Sequence, residues 1–342
     1  NYMVDPYWCF QHRVPIGRYQ TSIDERQQKS NFLATRTPDI DTVIMGNSRV
    51  TYTDVQNVPG KAFNYASSSM KSVEFLPYLK FASMRSSLPV KTLILGLSFV
   101  DTNKNSTIYY DKPEEYIQRA LSPWFRNKSL LNFKLFYNSI KLIRNELKGD
   151  YHDAYTWEGG KVIPSRRMML PVREEIRKKE IESNLATYRE RGYGKDFIYQ
   201  DNRPTYEEIK EAFPDARILV FTTPVSEHLL GLLAEQGLFN QYARWIEDIV
   251  DSFGELWNFM YYNKITTDGL NYKDAHHYSP DVCHLIIRKI YETSPKGEYP
   301  DFGVKVTKDN LDSHLEFLKR NILKGGDQPK SMGQAPAPPP TK

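Results

Sequence analysis

Short apolar runs that end near glycine, serine or asparagine recur along the chain and alternate with segments of helical periodicity. Five of them predict buried strands: TVIMGNS, KAFNYAS, KTLILGLSF, ARILVFTTPVS and LWNFMYY. Between them, SVEFLPYLKFASMRS and EHLLGLLAEQGLFNQYARWIEDIVDSFG place apolar residues at helical spacing, the second with a break near Gly237. Strands that alternate with helices predict an α/β fold built on a parallel sheet.

The same pattern divides the chain into three parts. Residues 1–38 form an irregular opening segment with one polar helix near Asp24–Phe32, which we interpret as membrane-proximal. Residues 39–324 hold the α/β domain, interrupted at about 102–205 by a mostly helical insertion whose charge run is typical of a solvated helix face. Residues 325–342 are rich in glycine and proline and predict a disordered tail.

Composition narrows the classes of function. The 342-residue chain is 40% hydrophobic, enough for a sizeable core, and its net charge of +4 is too small and dispersed to favour nucleic-acid binding. No apolar run approaches the ~20 residues of a membrane span. The two cysteines, Cys9 and Cys283, form no CxxC motif that would indicate a zinc site. The sequence alone does not determine whether they form a disulfide with each other.

The stretch DTVIMGNSRVTYTDV indicates candidate chemistry, because a predicted strand ends at Gly46 and presents Ser48 at once. In an open parallel sheet, ligands bind beyond the carboxyl ends of the strands. A serine that opens the following helix would lie in the positive field of the helix end, which favours a developing oxyanion. The structural alternative is that Ser48 is only an N-cap, and the motif alone favours that alternative.

A serine nucleophile needs a base, and the base needs a carboxylate to orient it. The segment NYKDAHHYSPDVCHLIIRKIYE supplies both: Ser279 and Pro280 predict a helix start, so Asp274, His276 and His277 would lie in the loop before it. The structural alternative is a polar loop with two surface histidines. A metal site is less favoured, since adjacent side chains diverge and no third ligand is apparent; we predict neither a metal nor a cofactor.

Together, these motifs resemble the first and last blocks of the SGNH/GDSL hydrolases. Gly46-Asn47-Ser48 matches the nucleophile block and Asp274-x-x-His277 the closing block, in family order over most of residues 39–295, excluding the insertion. The resemblance implies a flavodoxin-like three-layer α/β/α sandwich with a parallel central sheet. It also implies a triad in which Ser48 is the nucleophile, His277 the general base and Asp274 its orienting carboxylate.

The resemblance further implies an oxyanion hole, where the chain departs from the family pattern. The Ser48 backbone is one donor, and NYASSSM places Ala66 and Ser67 where a glycine donor is usual. Ser98 stands where the third block usually has an asparagine. Because losing one oxyanion donor typically costs ~10²–10³ in rate, either the Ser98 hydroxyl replaces the amide, or another donor does, or catalysis is slow.

Two further residues are candidates for substrate binding. Arg49 either pairs with a carboxylate in the first turn after the strand, or faces the cleft and binds an acidic sugar or steadies the triad aspartate. Thr223, in FTTPVSEH at the end of the fourth strand, would line the substrate, although polar residues at strand ends are more often turn formers.

More narrowly, the chain is similar to extracytoplasmic SGNH-like proteins of bacterial surface-polymer modification, including the alginate O-acetylation proteins and the teichoic-acid D-alanylation protein. Asp5-Pro6-Tyr7, the Gly-x-Ser-Arg block and the Asp-x-x-His-Tyr ending support this resemblance. It implies a periplasmic or extracytoplasmic domain tethered to the inner membrane by an N-terminal helix outside this chain. It also implies a surface polysaccharide substrate and a membrane-bound O-acyltransferase as acyl donor.

The sequence therefore predicts serine-dependent acyl transfer on a bacterial surface polysaccharide, with O-acetyl transfer favoured. An O-acetylesterase with the same triad is the first alternative, in which water instead of a sugar hydroxyl resolves the acyl-enzyme. A non-catalytic SGNH-like module that binds polysaccharide or an assembly partner is the second, and the missing third-block asparagine fits it.

Overall fold

The computed structural model describes residues 1–11, 20–21, 23–106, 110–149, 154–162, 174–295 and 297–325. The strands in these ranges are β1 (Gln20–Thr21), β2 (Thr42–Met45), β3 (Ala62–Asn64), β4 (Thr92–Leu97), β5 (Ala154–Tyr155), β6 (Lys161–Val162), β7 (Arg217–Thr222), β8 (Glu255–Asn258) and β9 (Val304–Thr307). The α-helices are α1 (Glu25–Arg36), α2 (Phe75–Arg85), α3 (Pro113–Leu121), α4 (Pro123–Leu130), α5 (Phe133–Lys148), α6 (Glu174–Thr187), α7 (Arg203–Ala212), α8 (Glu227–Glu235), α9 (Phe239–Phe253), α10 (Pro280–Ile290) and α11 (Leu311–Gly325).

The central sheet has the strand order β3-β2-β4-β7-β8-β9. All five strands predicted from apolar runs are present, and they pair in parallel from β3 to β8. This confirms the predicted α/β fold. Taken along the chain, the five parallel strands follow the order second, first, third, fourth, fifth, which is that of flavodoxin-like doubly wound sheets. The unpredicted β9 adds an antiparallel edge beside β8.

The sheet separates two apolar cores. Neighbouring side chains of β2 point to opposite faces, so that Val43 belongs to one core and Ile44 to the other. Helices α1, α2, α7, α8, α9 and α11 contribute to the first core, through residues such as Leu79, Leu229 and Ile246. Helix α10 packs on the opposite face through Val282 and its neighbours. Helices therefore cover both faces of the sheet in three layers.

The described part of the insertion is mostly helical. Helices α3 to α6 fall within it, α6 buries none of its residues, and a π-helical turn follows at Tyr188–Gly192. Strands β5 and β6 of the insertion join β1 in a small antiparallel sheet. The predicted disordered tail lies, beyond Gly325, outside the described residues.

The opening segment shares the core of the α/β domain. Trp8 and Phe32 belong to the first core, and most of the polar residues of α1 are buried. Many of their polar groups have internal partners; Arg26, for example, forms an ion pair of 2.9 Å with Glu74. Helix α1 is therefore a helix of mostly polar residues that is buried against the α/β domain.

Gly46, at the carboxyl end of β2, allows a close approach that no side chain could tolerate. A Cβ there would lie 2.4 Å from Val50 Cγ2 and 3.1 Å from the Gly96 carbonyl oxygen. We expect Gly46→Ala to lower the free energy of unfolding by about 1–3 kcal/mol through overpacking, as measured by denaturant titration. The control is Gly231→Ala in α8, whose Cβ would meet its nearest atom, Tyr262 Oη, at 3.5 Å.

The control should leave stability unchanged or slightly raised, because alanine is the better helix former. Equal losses of stability in the two variants would contradict the argument.

Candidate active site

Ser48 lies in a tight turn just beyond β2, half-buried at the carboxyl edge of the sheet. The Val50 N–H donates to the Asn47 carbonyl at 2.9 Å, and the Thr51 hydroxyl donates to the Ser48 carbonyl at 2.7 Å. These turns lead only to a short 3-10 helix at Val55–Asn57. The prediction that Ser48 opens a helix is therefore wrong, and neither the N-cap interpretation nor the helix-end field applies to it.

Asp274 and His277 lie in the loop before α10, as predicted from Ser279 and Pro280. His277 Nε2 is 2.8 Å from Ser48 Oγ, and His277 Nδ1 is 2.7 Å from Asp274 Oδ2. Both distances fall in the hydrogen-bonding range of about 2.6–3.2 Å expected for a nucleophile, a base and its orienting group. The fold thus joins three residues from opposite ends of the chain in one relay.

The Asp274 carboxylate is held by the backbone of its own loop. Its Oδ1 accepts the N–H groups of His276 at 2.9 Å and His277 at 2.8 Å. Burial alone would raise the pKa of Asp274, but the hydrogen bond from His277, the nearby histidine rings and these N–H groups together hold that pKa well below its usual range. An ionised Asp274 keeps the proton of His277 on Nδ1, which leaves Nε2 free to accept the Ser48 proton.

His276, the other histidine of the loop, packs against neighbouring rings and is not the base. Its ring centroid lies 4.0 Å from that of His277 and 5.4 Å from that of Tyr188. Burial, followed by the nearby positive charges, lowers the pKa of His276 well below its ordinary value, so the ring is neutral. Asp274, His276 and His277 place one ligand atom each within 4.8 Å of one another. A cation bound there would have to displace a hydrogen bond of the relay.

Arg49 and Thr223, predicted to bind substrate, lie beneath the site instead. Both are buried, with 2% and 0% of their surface exposed. Arg49 Nη1 donates to Thr223 Oγ1 at 3.0 Å, and Arg49 Nη2 donates to Tyr188 Oη at 2.7 Å. The prediction of substrate contact is wrong for both residues, because the guanidinium turns into the protein and donates there from both Nη1 and Nη2. They position the loops that carry the relay.

Two of the predicted oxyanion donors are already occupied. The Ala66 N–H donates to Asn64 Oδ1 at 3.1 Å, and the Ser67 N–H donates to the Gly46 carbonyl at 3.1 Å. The second bond extends the parallel pairing of β2 and β3 beyond the strand ends. An N–H that is satisfied in this way cannot also serve an oxyanion, so both predictions are wrong for this conformation.

Ser98 is also occupied, whereas Ser48 keeps a donor. Asn47 Nδ2 donates to Ser98 Oγ at 2.8 Å, and Ser98 Oγ lies 2.7 Å from Thr223 Oγ1. Ser98 is thus a buried link between two loops, and its predicted role as an oxyanion donor is wrong. The Ser48 N–H has no acceptor among the described residues and stays available.

Three supporting residues were missed or given no role by the sequence. Asn47 accepts the Arg49 N–H through Oδ1 at 3.1 Å and lies 3.4 Å from Asp101 Oδ2 through Nδ2. Burial raises the pKa of Asp101 to about 7, although the charges of Arg49 and Lys71 oppose it. Tyr188, which touches both Arg49 and His276, belongs to the insertion, and its place in a charged run gave no signal of this contact.

A cleft of about 430 Å³ adjoins this network. Its lining combines polar groups with two aromatic rings, and includes Ser69, Asn103, Tyr188, Arg191 and Phe197. Tyr188 is common to the cleft and to the support of the relay. The cleft has the mixture of hydrogen-bonding groups and rings that suits a hydroxylated ligand.

Neither a protein-family model nor a curated protein matches this chain. Within the described ranges, no helix has the length and apolar character needed to cross a membrane. Cys9 and Cys283 are both free and buried.

The hydrogen bond between Arg49 and Tyr188 offers a test of how the insertion supports the site. We expect Tyr188→Phe to lower the free energy of unfolding by about 1–3 kcal/mol, because it leaves a buried guanidinium N–H without its acceptor. Tyr193→Phe is the matched control, since the buried Tyr193 hydroxyl has no partner in the described part of the chain. Its ring packs on Tyr188 at 5.3 Å.

Denaturant titration should show a loss for Tyr188→Phe and no loss for Tyr193→Phe. If the two variants lost the same stability, the Arg49 contact would not be the cause.

Proposed function

We propose that this protein is an SGNH-type serine acyltransferase that moves O-acetyl groups onto a bacterial surface polysaccharide. The single observation that supports it most is the relay from Ser48 through His277 to Asp274, with distances of 2.8 and 2.7 Å. The flavodoxin-like order of the parallel strands supports the finer SGNH assignment. The site also lies where ligands bind in such sheets, beyond the carboxyl ends of the strands.

The proposed reaction has two steps. In the first, Ser48 Oγ attacks the acyl carbonyl while His277 Nε2 takes its proton, and Asp274 stabilises the resulting imidazolium. The Ser48 N–H donates to the oxyanion. The tetrahedral intermediate collapses, and the leaving alcohol or thiol takes the proton from His277. In the second step a sugar hydroxyl gives its proton to His277 and attacks the acyl-serine ester. The bond between the acyl carbon and Ser48 Oγ then breaks, and His277 returns the proton to Ser48 Oγ.

Hydrolysis is the second candidate. The side chain of His277 keeps 22% of its surface exposed, so water can reach the acyl-serine as readily as a small acceptor could. Water in the place of the sugar hydroxyl would make the protein an O-acetylesterase with the same residues. The two outcomes differ only in the group that accepts the acyl chain.

The setting is proposed on the resemblance described above. An extracytoplasmic domain at the inner membrane would meet its polysaccharide outside the cytoplasm. A membrane-bound O-acyltransferase would then deliver the acyl group to Ser48. The polar cleft beside Tyr188 is the proposed acceptor site.

Trapping of the acyl-enzyme tests the proposal. Brief reaction with p-nitrophenyl acetate, followed by peptide mass spectrometry, should show an acetyl group on Ser48, and a fluorophosphonate should label the same residue. Ser48→Ala should abolish both signals, whereas Ser183→Ala, which changes an exposed serine of α6 outside the site, should retain them. A wild-type protein that neither labels nor releases p-nitrophenol would favour the non-catalytic module.

Adding an oligosaccharide then separates the two enzymatic outcomes. Acetyl-oligosaccharide indicates a transferase, and acetate alone indicates an esterase.

A further inference from the structure

Helices α4 and α5 of the insertion expose an unusual amount of apolar surface. The exposed fractions are 75% for Trp124, 86% for Leu131, 89% for Phe133, 68% for Tyr137 and 81% for Leu147. Single exposed apolar residues are common on soluble proteins, but contiguous groups of large ones mark interaction sites. This group, together with Phe136 and Ile140, is called the α4–α5 patch below.

Helix α5 has two apolar faces and buries only one. Its inward face packs through Leu135, Ser139 and Leu142, its buried residues. The outward face repeats at helical spacing and consists of Phe133, Phe136, Tyr137, Ile140 and Leu147. A helix already packed by one face gains nothing from a second apolar face in water, so the outward face indicates a partner.

Charge identifies the kind of partner. Residues 122–149 contain six basic residues and one acidic residue, which gives 6 − 1 = +5: Arg126, Lys128, Lys134, Lys141, Arg144 and Lys148 against Glu146. Lys134, Lys141 and Lys148 are spaced seven apart, so they form a row along one edge of the outward face. Their stems can lie along the apolar surface while the ammonium groups reach anionic groups above it.

We propose that the α4–α5 patch docks on the surface of an anionic lipid bilayer. An apolar face with large aromatic residues and a lysine edge is the composition of helices that lie in the membrane interface. Anionic headgroups attract such lysines near the surface. A second copy of this chain is a poorer partner, because it would bring two strongly basic surfaces together.

The start of the chain is fixed beside the same patch. Asn1 Nδ2 donates to the carbonyls of Ser129, Leu130 and Asn132 at 2.9–3.1 Å, at the turn between α4 and α5. Tyr2 and Met3, next to this anchor, are 56% and 70% exposed. They extend the apolar surface beyond the two helices.

Vesicle flotation with the full chain tests the proposal. We expect binding to vesicles of phosphatidylcholine with phosphatidylglycerol. Binding should be at least ~10-fold weaker for Phe133→Ser/Leu147→Ser, since each substitution removes an apolar side chain that the bilayer would bury. Both positions are almost fully exposed, so folding should not suffer. The matched control is Met84→Ser/Leu270→Ser, which changes two exposed residues elsewhere, at 64% and 54%, and should bind as the wild type does.

Two further measurements test separately the contribution of the lysines to binding and the insertion of the apolar side chains into the bilayer. Lys134→Glu/Lys141→Glu should bind the anionic vesicles more weakly, and added salt should weaken the wild type in the same way. Trp124 emission should shift to shorter wavelength on binding, and that shift should be absent in Trp124→Phe. Ser48→Ala should bind vesicles normally, so this test is independent of the proposed chemistry.

Three results would overturn the proposal. One is the absence of binding to anionic vesicles, and another is equal binding by the patch and control variants. The third is a dimer in light scattering that Phe133→Ser/Leu147→Ser dissociates, because the occupant would then be a second copy.

Discussion

His277→Ala is expected to reduce acyl transfer by roughly 10⁴–10⁶-fold, about as much as Ser48→Ala. His277 Nε2 is the group within hydrogen-bonding distance of the Ser48 hydroxyl, and without it the serine has no base to accept its proton at neutral pH. The measurement is the initial rate of p-nitrophenol release from its acetate. The double variant Ser48→Ala/His277→Ala should be no slower than either single variant, because the two residues act as one unit.

His276→Gln is the control for this prediction. The neighbouring histidine packs on His277 but makes no described contact with Ser48, so its loss should affect the rate far less. A large loss of rate with His276→Gln, together with a near-normal rate with His277→Ala, would show that His277 is not the base.

Asp274→Asn should lower the rate by roughly 10⁴-fold while the protein stays folded. Asp274 accepts from two backbone N–H groups through Oδ1 and from His277 Nδ1 through Oδ2. An amide cannot satisfy both sides. If its oxygen faces the backbone, its NH₂ faces Nδ1 and moves the histidine proton to Nε2, where it blocks acceptance from Ser48. A variant that keeps wild-type rates would remove Asp274 from the mechanism.

The pH dependence of stability gives an independent check on Asp274. Its pKa is lower in the folded protein than the ordinary value of 3.8, so the folded state binds fewer protons than the unfolded state. This stabilisation is fully present above about pH 5 and is lost as the pH falls through and below the ordinary pKa. The free energy of unfolding should therefore fall less steeply with acid in Asp274→Asn than in the wild type.

The parallel sheet could be predicted from sequence because each strand is a short apolar run closed by a turn former. The sequence also predicts the helix break near Gly237, which lies between α8 and α9. The loop of Asp274 and His277 could be placed because Ser279 and Pro280 are strong local signals of a helix start. In each case the information lies within a few neighbouring residues.

The remaining features depend on contacts between distant segments. Helix α1 is interpreted from sequence as part of a polar opening segment, yet its polar side chains are buried. Their partners, such as Glu74, are distant in sequence, so the local pattern does not reveal them. Arg49 gave no sign that Tyr188 would accept its hydrogen bond from within the insertion. The oxyanion donors at Ala66 and Ser67 failed for the same reason, since their acceptors are set by how the loops meet.

The bond from Tyr188 to Arg49 has a consequence for any attempt to reduce the protein to a minimal enzyme. Ser48, His277 and Asp274 all lie outside residues 102–205, so a shortened chain would retain every residue of the relay. It would nevertheless lose the acceptor of a buried guanidinium and one ring against which His276 packs. The insertion is thus part of the foundation of the site, and a trimmed version would need a new partner for Arg49 before it could work.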